Sequence, residues 1–362
     1  MSEIRTFGPD DVPAVAAMFQ RTFRDRAVPA PASLAQHIGD VFLRHPWYDP
    51  EVASRVHVSD AGVVNGFIGI LPLPLVVGER RLRSGMAGSL MVEDPSKDPL
   101  AGARLLRSFL NGPQDISLSE TANLLSQRMW ERLGGTTVTG LSLDWMRVFR
   151  PAGLAIDVAS GRIRAARLGR PVAAMCDSLA RRAGGGFFRA TAPDGVEGRE
   201  VDEAGLMAAL DTIPPSTGVR PDWTAEVLQW VLRTAEVKEQ RGPFHRRVIT
   251  ARGTTIGAAV FYGEPKSLAW VLHVTARPGA EAKVMEELLA YADVTGFAGM
   301  RGRVTPALHE TLLRQKAFFF RRGAFVAHSR DPALVTALAD PAAVVTGLAG
   351  ESWIRLIGGT FR

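Results

Sequence analysis

The segment from Gly88 to Gly135 constrains the fold of this 362-residue chain more than any other stretch. Its apolar run Ser89–Val92 is typical of a β-strand and stops before Pro95, because proline cannot continue a hydrogen-bonded ladder. A polar loop follows, then a helix that opens with a proline in its first turn. A second strand over Asp115–Ser119 precedes another helix, which ends in the glycine signal Leu133-Gly134-Gly135. The segment therefore predicts strand, loop, helix, strand, helix.

This order, together with two short motifs, resembles the GNAT superfamily of acyl-CoA-dependent N-acyltransferases. In that family the fourth strand runs into a loop of the form Gln/Arg-x-x-Gly-x-Gly/Ala, which opens the third helix, and a later helix ends in Tyr-x-x-x-Gly-Phe. Here the loop aligns as Asp98-x-x-Ala101-x-Ala103, and the helix end aligns as Trp130-Glu131-Arg132-Leu133-Gly134-Gly135. An acid thus stands where the family has a cation or amide, and a tryptophan stands where it has a tyrosine.

The resemblance implies acetyl-CoA or a longer acyl-CoA as co-substrate, and no metal. Free N–H groups at a helix N-terminus attract a pyrophosphate, and an adjacent strand edge pairs with an extended pantetheine arm. In the family a backbone N–H of the fourth strand polarises the acyl carbonyl, a role that falls here to Met91 or Val92. Lys97 and Arg104 are expected to offset the charge of Asp98. The expected cofactor-binding residues are Leu90, Met91, Val92, Lys97, Leu100, Ala101, Gly102, Ala103, Arg104 and Asn123.

Acyl transfer to an amine also needs a base for the ammonium proton and, in some cases, an acid for the leaving thiolate. Glu93 and Glu120 end the fourth and fifth strands and are the candidate catalytic bases, although each also fits a solvated strand-end carboxylate. Asp144 is a third candidate, and His57 better fits a histidine with a structural hydrogen bond. No tyrosine aligns with the family's acid, so Ser126, one turn earlier, is the candidate donor to the thiolate, with solvent as the alternative.

The second half of the chain repeats the order of the first. Leu268–Thr275 is the counterpart of the fourth strand and Glu281–Thr295 of the helix after it. A helix predicted over Pro306–Arg322 ends in Phe319-Phe320-Arg321-Arg322-Gly323-Ala324, 189 residues after its counterpart at Trp130. A duplication of this length indicates two copies of one domain rather than a solenoid.

We therefore expect an α+β fold (an α/β sandwich) of two GNAT-like domains, each with a mixed, mostly antiparallel sheet flanked by helices. The predicted division is 1–150, a connector at 151–190, and 191–362. Thr136–Thr139 and Trp145–Arg150 are expected to close the first sheet. The loop of the second half, at 277–280, is a poor phosphate site. We therefore expect this half to be degenerate in cofactor binding and to form one side of the cleft for the acceptor. A helix and a last strand are expected in its C-terminal part, from Pro332 to Trp353–Leu356.

Composition narrows the class of protein. The single cysteine, Cys176, excludes an intramolecular disulfide framework and is expected to be a small, at least half-buried apolar residue. The sequence shows neither an apolar run of about 18 residues nor a signal-peptide pattern, which favours a cytoplasmic protein, with the inner membrane face as a peripheral location. Residues 160–190 carry seven arginines and one acid, Asp177, which accounts for the whole net charge of +6.

This basic segment has three interpretations: a solvated helix over Pro171–Arg182, a contact with an anionic membrane, or a docking site for an acidic carrier protein or a phosphorylated acceptor. A nucleic-acid partner is not expected, because the rest of the chain has no net charge. The leading hypothesis is an N-acyltransferase, most simply an N-acetyltransferase, acting on a primary amine of a small molecule or of a sugar- or lipid-linked acceptor. The alternatives are a non-catalytic binding or scaffold protein of the same fold, and an acyltransferase with an acyl-carrier-protein donor.

Overall fold

Two mixed β-sheets organise the chain, and each takes strands from both halves of the sequence. The computed structural model describes residues 2–161, 163–184, 186–238 and 241–361. The strands in chain order are β1 (Glu3–Thr6), β2 (Arg55–Val58), β3 (Val64–Val77), β4 (Arg80–Val92), β5 (Ile116–Ala122), β6 (Thr136–Thr137), β7 (Leu143–Val148), β8 (Val196–Glu200), β9 (Arg220–Pro221), β10 (Phe244–Ala251), β11 (Thr254–Tyr262), β12 (Leu268–Ala276), β13 (Gly299–Arg303), β14 (Phe318–Arg321) and β15 (Ala324–His328).

The α-helices in chain order are α1 (Val12–Phe23), α2 (Ala32–Leu43), α3 (Ala101–Leu110), α4 (Leu124–Arg132), α5 (Pro151–Ser160), α6 (Arg170–Ala183), α7 (Glu203–Asp211), α8 (Ala225–Glu236), α9 (Glu281–Thr295), α10 (His309–Arg314) and α11 (Pro332–Ala337). The first sheet has the order β1-β2-β3-β4-β5-β15-β6, with β9 paired to β3, and the second has the order β14-β7-β13-β12-β11-β10-β8. Antiparallel pairs dominate both sheets, and helices pack against them. The predicted α+β class is confirmed.

The two halves exchange strands, which corrects one prediction. β7 does not close the first sheet: it lies between β13 and β14 of the second sheet, with Trp145 opposite Gly302 and Phe319. In return β15 pairs with β5 and β6, with Val326 opposite Ser119 and Thr137. Strand propensity shows that a segment is extended but not which edge it completes. The division at 150 and 190 therefore stays a prediction, and each sheet depends on both sides of it.

Two prolines lie within β3, which runs unbroken through Pro72 and Pro74, although Leu75–Val77 would be expected from the sequence to form a separate strand. A proline removes one ladder hydrogen bond, so it fits only where that edge of the strand has no continuous partner. β2 pairs with β3 no further than Ile68, and beyond it only the short β9 reaches Leu75 and Val76. The prolines lie in the gap between these two partners.

Two elements of the second half and one residue of the connector differ from the prediction. The helix expected to reach Arg322 ends at Arg314, Lys316 adopts a φ of +62°, and the aromatic run after it forms β14. The helix expected after Pro332 is confirmed as α11, but the last strand is absent at 353–356. Residues 342–361, which we call the tail from here on, contain the short 3₁₀ turn Gly347–Ala349 and run between the two halves instead of joining a sheet edge. In the connector, the predicted helix is confirmed as α6, but Cys176 is exposed on it, contrary to expectation.

Candidate active site

A cleft of about 240 Å³ opens where β4 and β5 separate. The two strands are paired in parallel only from Ser84 opposite Ile116 to Met86 opposite Leu118. Beyond this point they diverge, and the gap between them is bounded by α1, by the start of α4 and by the tail. The residues that line the cleft include Gly88, Ser89 and Leu90 of β4, Thr121 of β5, Asn123 and Ser126 at the start of α4, and Leu356 and Ile357 of the tail.

A β-bulge shapes the β4 wall of this cleft. Met91 pairs with Phe67 and Gly88 pairs with Gly69, so Ser89 and Leu90 together face a single residue of β3. Ser89 has a φ of +55°, a left-handed conformation that a residue with a side chain adopts at a cost of order 1–3 kcal/mol. A bulge takes one residue out of the ladder. The backbone that lines the cleft is therefore that of Ser89 and Leu90, not that of Met91 or Val92.

The tail connects the second half of the chain to this cleft. It leaves the second half at Val344, whose N–H donates to Val219 O, and Gly347 packs directly on Leu272 O of β12, at a φ of +67°. Further along, Leu356 and Ile357 line the cleft of the first half. The tail thus covers the point at which β12 and β13 separate.

Two glutamates anchor the tail in the first sheet. The Glu120 carboxylate accepts hydrogen bonds from the N–H groups of Gly347, Glu351 and Ser352 (2.9, 2.8 and 3.1 Å) and from the Ser352 hydroxyl (2.8 Å). Glu120 is fully buried, and Arg303 Nε lies 3.6 Å from its Oε1. The interpretation of Glu120 as a solvated carboxylate is therefore wrong, and its oxygens are already engaged by the tail.

Glu351 is buried against two residues that line the cleft, Gly88 and Thr121, and no sequence motif pointed to it. Its Oε1 accepts hydrogen bonds from the N–H groups of Glu120 and Thr121 (3.1 and 2.9 Å) and from the Thr121 hydroxyl (2.8 Å). Its Oε2 lies 2.5 Å from the position that a Cβ on Gly88 would take. Burial and the adjacent Glu120 raise the pKa of Glu351 to about 7. The only sequence signal is a lone acid in the apolar, glycine-rich tail.

Lys238 completes this buried cluster. Its Nζ donates to Ser352 O (2.7 Å) and Ile354 O (3.2 Å), on either side of the tail residue Trp353. Burial and the neighbouring Arg241 charge lower the pKa of Lys238 to about 7. The ammonium therefore holds the tail against α8 through backbone carbonyls, and its charge is readily lost near neutral pH.

The predicted pyrophosphate loop lies in acidic surroundings. Lys97 is 84% exposed and pairs with Asp94 at 3.6 Å, and the side chain of Arg104 donates to Ser2 and approaches His57. The hollow beside the loop, about 390 Å³, contains one lysine and four acids: Asp60, Glu93, Asp94 and Asp98. Of the other predicted residues here, Ala101 is buried, Gly102 and Ala103 are half-buried, and Leu100 caps α3 from an exposed position. Among the residues that the structure describes, Lys97 is thus the one cationic side chain that lines this hollow, and no second cation lines it to bind a phosphate.

Three of the remaining predicted residues line the cleft, and the others lie elsewhere. Asn123 caps α4 by accepting from Ser126 N–H (2.9 Å), and both residues line the cleft together with Leu90. Glu93 is exposed and pairs with Arg21 at 2.6 Å, so it fits the solvated alternative. The two other candidates are engaged elsewhere, Asp144 beside Arg301 and Arg303, and His57 with Asn65 and Asp98.

No protein-family model matches the sequence, and no curated protein matches it. Solved structures do match. The GCN5-related N-acetyltransferase from Anabaena variabilis ATCC 29413 aligns with a TM-score of 0.58 at 10% identity, over 92% of this chain and 74% of that one. A conserved protein of unknown function from Enterococcus faecalis V583, described as a probable N-acyltransferase, gives 0.57 at 9% identity, over 91% and 73%. This chain has the GNAT fold.

A third GNAT-fold structure, the GCN5-related N-acetyltransferase from Kribbella flavida, aligns with a TM-score of 0.54 at 11% identity, over 92% of this chain and 72% of that one. At such identities the likeness establishes the fold alone, and the chemistry rests on the cleft itself. Within the described residues, no group of three or more His, Cys, Asp or Glu side chains is arranged to hold a metal ion. None of the helices described is both long enough and apolar enough to cross a bilayer.

Proposed function

We propose that this GNAT-fold protein is an acyl-CoA-dependent N-acyltransferase that transfers an acyl group to a primary amine, with Glu351 as the base. The observation that supports it is a carboxyl group with a pKa raised to about 7, held against Gly88, next to the strained β-bulge that lines the cleft. A base is most effective when its pKa is close to the working pH. The fold likeness supports acyl transfer in general terms.

The cleft fits the thioester end of acyl-CoA better than the predicted loop fits its phosphates. Ser89 and Leu90 present bulged backbone to the cleft, and Asn123 and Ser126 add polar groups opposite. Around Lys97, by contrast, four carboxylates would repel a pyrophosphate. We therefore assign the acyl and pantetheine portion to the cleft and leave the loop's role, like those of Lys97 and Arg104, as a prediction.

The bound acyl-CoA supplies an activated acyl group. The protein's own contribution starts with orientation: the Leu90 backbone, outside the ladder, offers an N–H to a carbonyl oxygen in the cleft. Glu351 then takes the proton that an ammonium must lose before its nitrogen can attack, directly or through a water beside Gly88 and Thr121. Because Glu351 is held through Oε1, its Oε2 is the oxygen that receives the proton. Overall, the nitrogen–acyl bond forms and the carbon–sulfur bond breaks. The second proton that the nitrogen loses as the amide forms passes to solvent, and solvent protonates the leaving thiolate, to which Ser126 can donate a hydrogen bond.

Binding of acetyl-CoA to the full chain, followed by thermal unfolding, tests the first part of the proposal. A ligand at about 100 times its Kd adds roughly 2.7 kcal/mol of stability, which raises the Tm by about 2–4 °C for domains of this size. Ser126→Phe fills the cleft and should abolish the shift, whereas Lys97→Ala should keep it. The reverse pattern would place the donor at the loop and contradict the assignment.

Release of free thiol from acetyl-CoA in the presence of amine panels tests the second part. The panels should contain small-molecule, aminosugar and lipid-linked amines, and longer acyl-CoAs should be compared with acetyl-CoA. Amine-dependent thiol release that Glu351→Gln abolishes supports the transferase. Donor binding with no release in any panel favours the non-catalytic binding protein, and failure to bind any acyl-CoA while binding an acyl-carrier protein favours that donor.

A further inference from the structure

Three arginines surround one tryptophan on the face of the second sheet that looks toward the first half. The guanidinium carbons of Arg241 and Arg301 each lie 4.0 Å from the centre of the Trp270 ring, and that of Arg322 lies at 5.2 Å. Trp270 and Arg301 are directly opposite each other on β12 and β13. We refer to Trp270 and these three arginines as the arginine patch.

The positive charge of the arginine patch is not neutralised by the part of the chain that the structure describes. Nε and Nη2 of Arg301 are buried and have no hydrogen-bond partner among the described residues. The nearest carboxylate, Asp144, is 3.7 Å from Arg301 and is shared with Arg303. Burial and the charge of Arg322 lower the pKa values of Arg241 and Arg301 to about 10, the direction expected for buried cations whose counter-charge is incomplete.

The arginine patch borders the cleft of the first half. Arg241 Nη2 lies 2.8 Å from the position of a Cβ on Gly358, next to the cleft residue Ile357. Arg321 donates to Gln127 on α4 (2.6 Å), beside the cleft residue Ser126, and its neighbour Arg322 is exposed. A ligand in the cleft that extends along the tail therefore reaches these guanidinium groups.

We propose that the arginine patch binds the anionic group, a phosphate or carboxylate, of a ligand that occupies the cleft. The inference rests on the proposed function for the identity of the cleft. Guanidinium groups with free N–H donors form charge-assisted, often paired hydrogen bonds with phosphate and carboxylate oxygens. Two ligands can carry the group: the acyl donor, through its phosphates, or the acceptor amine.

Thermal unfolding of the full chain with inorganic pyrophosphate, at constant ionic strength set with chloride, tests the patch. Pyrophosphate should raise the Tm of the wild type, and the double variant Arg241→Gln, Arg322→Gln should lose the shift. Arg252→Gln, an exposed turn arginine on β10–β11, is the matched control and should keep it. No shift in the wild type, or an equal shift in the double variant, overturns the proposal, while retained acetyl-CoA binding in that case leaves the acyltransferase function standing.

Affinities for acetyl-CoA and S-acetylpantetheine, which has no phosphate, distinguish the two sources. If the patch holds donor phosphates, the double variant loses at least tenfold in affinity for acetyl-CoA and none for S-acetylpantetheine. If the patch holds the anionic group of the acceptor, the double variant binds acetyl-CoA and S-acetylpantetheine as tightly as the wild type does. It then loses only the stabilisation by pyrophosphate.

A second, independent observation concerns the connector. Four large apolar side chains at helical spacing lie on the outside of α6 and the turn before it, and between 59% and 84% of each is exposed: Leu168, Val172, Met175 and Leu179. We call them the apolar stripe. The same segment exposes Arg170, Arg182 and Arg189. Its two acids point inward: Asp177 accepts from the N–H groups of Ala152 and Gly153, and Asp157 accepts from that of Leu268.

We infer that the apolar stripe docks on an anionic lipid surface. An apolar helix face bordered by arginines and free of outward acids has the character of an interfacial membrane helix. A second copy of the chain is a poorer partner, because a two-fold contact would bring the same cationic surfaces together.

Co-sedimentation of the full chain with vesicles tests this surface. Binding to vesicles containing phosphatidylglycerol should exceed binding to pure phosphatidylcholine vesicles and should weaken with salt. Val172→Glu with Met175→Glu should reduce it at least tenfold, and Leu313→Glu, at a leucine on α10 of similar exposure, should not. Equal binding by both variants overturns the inference. The inference is also overturned if the wild type forms a dimer that does not bind vesicles and the double variant is a monomer.

Discussion

Glu120 and Glu351, 231 residues apart, hold each other through reciprocal hydrogen bonds: Glu120 N–H donates to Glu351 Oε1 (3.1 Å), and Glu351 N–H donates to Glu120 Oε2 (2.8 Å). Their environments nevertheless differ. Glu120 also has Arg303 beside it, whereas burial and repulsion from Glu120 raise the pKa of Glu351 to about 7. One carboxylate thus serves to anchor the tail, and the other is suited to exchange protons at neutral pH.

Replacing Glu351 by glutamine should lower kcat by about 10²- to 10⁴-fold, the usual contribution of a general base. Binding of acetyl-CoA should persist, since the amide oxygen can still accept from Thr121. The wild-type rate should rise with pH through about 7, and this rise should be absent from the residual activity of the variant. Glu93→Gln, at an exposed carboxylate, is the control. A variant with an unchanged pH profile would assign the base elsewhere.

The stability of the protein should decrease as pH rises from about 4.5 to about 7, because of Glu351. Its folded-state pKa is above its unfolded value, so its contribution is complete below the unfolded pKa and is lost as the carboxyl ionises in its buried site. The change amounts to about 3 kcal/mol at most by linkage. Urea unfolding of the wild type and Glu351→Gln across pH 4.5–8 measures it. Parallel curves for the two proteins would contradict the shifted pKa.

Removal of the Glu120 carboxylate should release the tail. Glu120→Ala leaves three backbone N–H groups and Arg303 without their buried acceptor, so the loss should be about 3–5 kcal/mol of unfolding free energy. Urea unfolding measures it, and limited proteolysis should show earlier cleavage within residues 342–361. Glu93→Ala should change stability by less than about 0.5 kcal/mol. Intact protection of the tail in Glu120→Ala would show that Lys238 is sufficient to hold it.

Gly347 should tolerate no side chain. Its φ of +67° alone costs an alanine roughly 1–2 kcal/mol, and a Cβ would also collide with Leu272 O. Gly62 has a similar φ of +75° with open space around it, so Gly62→Ala isolates the backbone cost. The free energy of unfolding should fall clearly more for Gly347→Ala than for Gly62→Ala. Equal losses would mean that the tail moves off β12 without penalty.

Much of the secondary structure followed from local patterns. Four elements were predictable from their own residues: the Ser89–Val92 run, the helices at Glu281–Thr295 and Pro171–Arg182, and the strand at Leu268–Thr275. The spacing of apolar residues, proline and glycine each influence only the backbone within a few residues of their position. The same patterns, with the order of elements, indicated the GNAT fold. The aromatic run at Phe318–Phe320 was assigned to a helix in error, because its partner strand β7 lies far away in sequence.

The sequence by itself determined the α+β class, the GNAT order of elements and the basic, amphipathic connector helix. Tertiary structure alone decided that the halves exchange β7 and β15, that Glu120 is buried, and that Glu351 of the tail packs against Thr121 beside the cleft. The physical reason is the separation along the chain of the residues that determine each property. Helix and strand preferences are set by neighbouring residues, whereas strand partners, burial and the pKa of a carboxyl depend on groups that only folding brings together.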